Sequence, residues 1–108
     1  MVRDELLRLR ATSEAEAATL AQSLEALFTA SRDSNADDEH DPEGATIGFE
    51  RAQLTALLAT ARDRIAELDA ALHRWDAGTY GRCERCGRPI AEDRLAARPF
   101  ARFCITCA

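Results

Sequence analysis

Cys83-Glu-Arg-Cys86-Gly87 and Cys104-Ile-Thr-Cys107, with 17 residues between the two pairs, decide how this 108-residue chain reads. Two C-x2-C pairs about 15 to 20 residues apart have the spacing of a four-cysteine zinc site. The reason is geometric. Thiolates three positions apart on a tight turn chelate one Zn2+ at about 2.3 Å, and two such turns complete a tetrahedron. Gly87, directly after Cys86, supplies the positive φ that such a turn uses, whereas Ala108 holds the equivalent place after Cys107. Four protein ligands leave no open position for water or substrate, so the spacing predicts one structural Zn2+ and no catalysis at the metal. The 31 residues from Gly78 to Ala108 carry too little apolar mass for an independent core, and metal binding supplies the missing folding free energy. A pair of disulfides or a C-x2-C redox pair are the other readings. A reducing compartment disfavours the first and the lack of a βαβ pattern the second. The compartment is read from the N-terminal residues. Arg3, Asp4, Glu5, Arg8 and Arg10 interrupt any apolar leader, and no apolar run of about 18 residues follows, which predicts a cytoplasmic chain without a membrane span.

Upstream of the cysteines, Leu54, Leu58, Ala61, Ile65, Leu68, Leu72 and Trp75 step by alternating fours and threes, a heptad seam on a helix expected from Thr46 to Ala77. Gly78 stands where a helix C-terminus takes a left-handed residue. Before it, residues 32–44 hold no large apolar side chain and carry six acids against one arginine, which reads as an acidic loop, about 32–45. Asp41-Pro42 is one candidate start for the helix beyond, and Thr46 a rival. From Arg3 to Ser31 neither Pro nor Gly occurs, and Ala17, Leu20, Leu24 and Leu27 mark a second amphipathic helix. Arg10 and Ser13 occupy the seam before Ala17, so the first turns are expected to fray or pack differently. Two helices with one narrow stripe each cover one another best by folding back antiparallel, against the rival of a parallel dimer. The fold class is therefore mainly α, with a long antiparallel two-helix coiled-coil hairpin over 1–77 and a small four-cysteine zinc finger over 78–108.

Charge follows the same division. Residues 1–77 carry 8 basic and 16 acidic residues and 78–108 carry 6 and 3, so the net −5 conceals an acidic arm on a basic base. The acidic balance argues against a general DNA binder. No nucleophile with a base, no phosphate loop and no open metal position is found, which predicts a non-enzyme. Trp75, Tyr80, Phe100 and Phe103 are expected to pack the finger on the helix ends. His40 and His73 have no metal spacing with any cysteine.

The stretch Gly78-Thr-Tyr-Gly-Arg-Cys83-Glu-Arg-Cys86-Gly-Arg-Pro-Ile90, followed by Arg94-Leu-Ala-Ala-Arg98-Pro-Phe-Ala-Arg-Phe-Cys104-Ile-Thr-Cys107, resembles the DksA/TraR family of C4-type zinc-finger transcription factors. The hairpin with an acidic tip extends the resemblance more loosely over the rest. It implies a protein that binds RNA polymerase, not promoter DNA, by inserting the coiled coil into the secondary channel. The family's tip carries Asp-x-x-Asp. Aligned on Asp-Pro, its first acid falls on Asp41 and its second on Gly44, with Asp37, Asp38, Glu39 and Glu43 keeping the tip acidic. Among the family's basic contacts to guanosine tetraphosphate, Arg94 and Arg98 match, while Glu67 stands where the second helix supplies a lysine. Two other classes remain beside this one: a DNA-binding finger using Arg82, Arg85, Arg88, Arg94, Arg98 and Arg102, and a redox or zinc sensor.

Overall fold

The computed structural model describes residues 2–33 and 42–108. Three helices account for most of them: α1 over Val2–Asp33, α2 over Pro42–Ala77, and a single short turn of helix, α3, over Glu92–Ala97. No strand forms among the described residues, and one isolated antiparallel bridge joins Arg82 to Pro89. The protein is mainly helical, with two long helices in contact. α2 starts at Pro42, not at Thr46. Proline is favoured there because its missing N–H is one of the unpaired donors of a first turn and its φ is already helical. α2 stops at Gly78, whose φ of +79° closes the turn by donating its N–H to the Trp75 carbonyl at 3.1 Å.

The chain packs as two compact units, one of Met1–Thr12 with Arg64–Ala108 and one of Ser13–Asp63. In the first, α1 and α2 run antiparallel. Arg3 of α1 pairs with Asp76 of α2 at 3.4 Å, and seven residues on Arg10 pairs with Asp69, seven residues back. The core of this unit is Leu6, Leu68, Ala71 and Phe100, with Leu9, Leu72 and Tyr80 against it. Leu6 and Leu68 are fully buried. The first turns of α1 thus pack differently from the rest of the seam: Leu6 shares a buried cluster with Phe100 of the finger, which helix periodicity alone does not reveal. Arg10 keeps its seam position by sending its guanidinium to Asp69.

In the second unit Leu58 and Ala61 are buried, and Ser13 is buried beside an otherwise apolar seam. Leu54 of the predicted seam is half-buried, as are Ala17, Leu20, Leu24 and Leu27 of α1. Phe28 of α1 lies under the Arg51 guanidinium of α2, 5.4 Å from ring centroid to cation. Asp37, Asp38, Glu39, His40 and Asp41 of the acidic stretch lie outside the described residues.

Candidate metal centre

The finger is built from two turns that present sulfur. In the first, the Gly87 N–H returns to the Cys83 carbonyl at 2.9 Å with φ +74° at the glycine. In the second, the Ala108 N–H returns to the Cys104 carbonyl, also at 2.9 Å, so the alanine closes its turn with the same hydrogen bond. Backbone bonds from Glu84 N to Arg102 O at 2.9 Å and from Cys83 N to Arg88 O at 2.8 Å hold the turns in place. Cys83, Ile90 and Ala101 form a small core, with Leu95, Phe103, Cys104 and Cys107 packed on it.

These contacts bring the four cysteine sulfurs to one point. The Sγ atoms of Cys83, Cys86, Cys104 and Cys107 all lie within 4.8 Å of one another. A tetrahedron of thiolates about 2.3 Å from Zn2+ has edges of about 3.8 Å, and Cys86 Sγ stands 3.7 Å from Cys104 Sγ. All four thiols are free, at a separation far beyond the roughly 2.05 Å of a disulfide. Burial opposes ionisation at Cys83, but hydrogen bonds from the backbone of Cys104, Cys86 and Arg85 pull its thiol down to about 6. The Cys107 thiol goes the other way. Its hydrogen bond with Cys104, together with burial and the Cys83 and Cys86 sulfurs, pushes it up to about 12. Four thiolates so close cannot all hold charge without a cation among them, and a divalent thiophilic ion satisfies that requirement. The four cysteines are positioned to bind one metal ion, and the chemistry of the donor set fits zinc.

Four thiolates around Zn2+ leave a formal surplus of two negative charges, and arginines surround it. Arg85 donates to the Cys107 carbonyl at 3.1 Å and lies over the Phe103 ring, and Arg82 donates to the Gly87 carbonyl at 3.4 Å. Arg94 donates to the Phe103 carbonyl at 2.9 Å, and Arg98 lies 5.6 Å from the Phe100 centroid. Arg102 grips Glu84 through Nε at 3.1 Å and Nη2 at 2.9 Å, while Arg74 of α2 reaches the other Glu84 oxygen at 3.6 Å and the Phe100 carbonyl at 3.3 Å. Most of the arginines that compose the basic C-terminal patch are thus fastened to the finger itself. Arg94 and Arg98 also border one open cleft of about 500 Å3 with Pro89, Ala91, Ala97 and Ile105. Of the four aromatic residues expected to pack the finger on the helix ends, Phe100 joins the helix core and Tyr80 packs on it, donating to the Pro99 carbonyl at 2.8 Å, whereas Phe103 packs within the finger's own cluster and Trp75, edge-on to Tyr80 at 5.4 Å, stays exposed. The Arg74–Glu84–Arg102 network was not legible in the sequence, since its three members are spread over 29 positions. No helix among the described residues is long and apolar enough to cross a membrane.

The sequence pattern of the prokaryotic dksA/traR C4-type zinc finger matches residues 78–108. An uncharacterized protein of Aquifex aeolicus is 52% identical over 44 residues, 41% of this chain and 30% of that protein. The RNA polymerase-binding transcription factor DksA of Caulobacter vibrioides is 44% identical over 54 residues, 46% of this chain and 38% of that protein. The chain thus spans well under half the length of either relative. Among solved structures, transcription factor DksA2 from Pseudomonas aeruginosa aligns over 98% of this chain and 76% of its own, with a TM-score of 0.80 and 29% sequence identity.

Proposed function

We propose that this chain, a DksA-like zinc-finger protein, is a non-enzymatic transcription regulator of the cytoplasm that binds RNA polymerase and inserts its helical arm into the secondary channel. The observation that carries the reading is the four-sulfur cluster fastened, through Phe100 and Arg74, to paired ends of α1 and α2. Cys83, Cys86, Cys104 and Cys107 hold one structural Zn2+, which keeps the finger folded and gives the arm a rigid base.

At the other end of the reading, Asp41 with Asp37, Asp38 and Glu39 forms the contact to the polymerase active centre. Carboxylates suit that place because Mg2+ and basic side chains both favour hard oxygen ligands. Gly44 replaces the second acid of the tip, so polymerase binding is retained while the regulatory effect is reduced. Arg94 and Arg98 are the contacts for the phosphates of guanosine tetraphosphate, and Glu67 in place of a basic residue weakens that response. A DNA-binding reading is disfavoured because Arg85 and Arg102 already serve a carbonyl, ring faces and Glu84 of the finger, and the arm beside them is acidic.

Transcription in vitro with the cognate polymerase tests the tip. Gly44→Asp is expected to strengthen the effect of the wild-type chain, and Asp41→Asn to abolish it. If all three proteins leave transcript levels where the polymerase alone sets them, the tip does not act.

A further inference from the structure

Glu84 and Arg85, the two positions enclosed by Cys83 and Cys86, both make contacts that cross to the other sulfur turn. Chelation by a C-x2-C turn asks nothing of such positions: in the second turn Ile105, directly after Cys104, is 82% exposed. Arg85 instead reaches out of its own turn. Its Nη1 donates to the Cys107 carbonyl at 3.1 Å, and its guanidinium lies over the Phe103 ring, 5.2 Å from the centroid. Arg102 makes the opposite crossing, from beside the second turn to Glu84, with its own guanidinium 5.6 Å from the same ring.

The two crossings differ in charge. Arg102 and Glu84 neutralise each other at 2.9 Å, and Arg74 engages Glu84 further at 3.6 Å. Arg85 has no carboxylate partner among the described residues. Its cation is bonded instead to the backbone of a metal-ligating residue, beside a tetrathiolate that carries a surplus of two negative charges when zinc is bound. Thiols regain protons once the ion leaves, so a cation at this place favours the loaded site over the emptied one.

We infer that Arg85 is a positioning residue for the metal, which fixes the Cys107 backbone, offsets the charge of the loaded site and thereby sets how slowly zinc leaves. The inference rests on the four cysteines holding zinc. The zinc-loaded full chain is challenged with excess 4-(2-pyridylazo)resorcinol, and the release of zinc is timed. Arg85→Met, which keeps an unbranched stem but neither charge nor donor, is expected to release zinc about tenfold faster, the lower end for such a partner because Arg85 is exposed. Arg85→Lys is expected to recover most of that difference. Arg88→Met, at an exposed arginine two positions beyond Cys86, is expected to match the wild type. If Arg85→Met takes up no metal, Arg85→Gln, which retains a donor without the charge, is judged by the same rates.

Cobalt in place of zinc separates this role from a general loss of structure. Each variant is expected to show the visible bands of a tetrahedral tetrathiolate. The thiolate-to-cobalt charge-transfer band is expected to move to longer wavelength in Arg85→Met, because a nearby cation lowers the energy of the sulfur electrons, and to return in Arg85→Lys. Release from the uncharged variant at the wild-type rate, or equally fast release from Arg88→Met, overturns the inference and leaves the zinc site standing. Arg85→Lys that releases as fast as Arg85→Met, with an unmoved charge-transfer band, reduces the residue to packing and overturns it as well. Wild-type protein purified without zinc removes the metal reading itself.

Discussion

Cys86 Sγ and Cys104 Sγ stand 3.7 Å apart, one from each of two turns that are also joined by a few backbone bonds, a small apolar cluster, the Arg102–Glu84 pair and the Arg85 bond to the Cys107 carbonyl. That separation matches two corners of a zinc tetrathiolate, and it ties the finger's fold to its metal. Purified protein is expected to contain one zinc per chain by atomic absorption. Strong chelation, or Cys86→Ala, is expected to remove it and to flatten the near-ultraviolet signal of Trp75 and Tyr80 while the far-ultraviolet helix signal largely persists. Full retention of that aromatic signal in metal-free protein would show that zinc does not organise the finger.

The Leu6–Phe100 cluster predicts a large penalty at the very start of α1. Leu6→Ala and Leu68→Ala remove fully buried side chains and are expected to cost about 2–5 kcal/mol each in a thermal or urea unfolding experiment. Leu57→Ala, at a residue 47% exposed, is expected to cost about 0.5 kcal/mol or less. Equal effects at Leu6 and Leu57 would mean that the α1 end is not packed.

Burial raises the pKa of Tyr80 above its usual 10.0, against a smaller opposing pull from Arg74. A raised acid contributes stability that is complete below pH 10 and is lost as pH climbs through the folded-state value. Tyr80 is the only tyrosine in the chain, so absorbance near 295 nm reports it alone. Its ionisation is expected above pH 10. Tyr80→Phe is expected to flatten the alkaline decline in stability while costing about 1 kcal/mol at neutral pH through the lost bond to the Pro99 carbonyl. An ordinary titration midpoint would contradict the burial.

Glu84 serves two arginines of different depth. The Arg74 side chain is only 11% exposed, and its Nε has no hydrogen-bond partner among the described residues. Glu84→Ala leaves that guanidinium without its carboxylate, and is expected to cost about 1–2 kcal/mol, since Glu84 itself is 35% exposed and screened. Arg102→Ala, which leaves the Arg74–Glu84 pair intact, is expected to cost less. The reverse order in urea midpoints would show that Arg102 is the principal partner.

Local spacing explains what the sequence made readable. The two cysteine pairs, the α2 seam from Leu54 to Leu72 and the glycines at 78 and 87 are each specified within a few positions, and the structure has them where spacing puts them. Contacts between distant residues were not readable. Periodicity shows that Leu6 is apolar but not that Phe100, 94 positions later, covers it. Arg10 and Ser13 looked like defects in the seam, yet Arg10 is accommodated by Asp69 on the other helix. Residue types mark the C-terminal arginines as a basic patch with Glu84, Glu92 and Asp93 as candidate partners, and Arg102 does pair with Glu84; the other partners are mostly backbone carbonyls and ring faces, which no residue-type pattern records. α3 leaves no mark in the sequence for a related reason: six residues without a side-chain cap give too short a stretch for a period to show.

The most direct test of the account is size-exclusion chromatography of the zinc-loaded chain with the cognate RNA polymerase, read by protein and zinc content across the peak. One chain, with its zinc, is expected to travel with each polymerase, and metal-free protein is not. A zinc-loaded chain that elutes alone, at concentrations where its fold is intact, would contradict it.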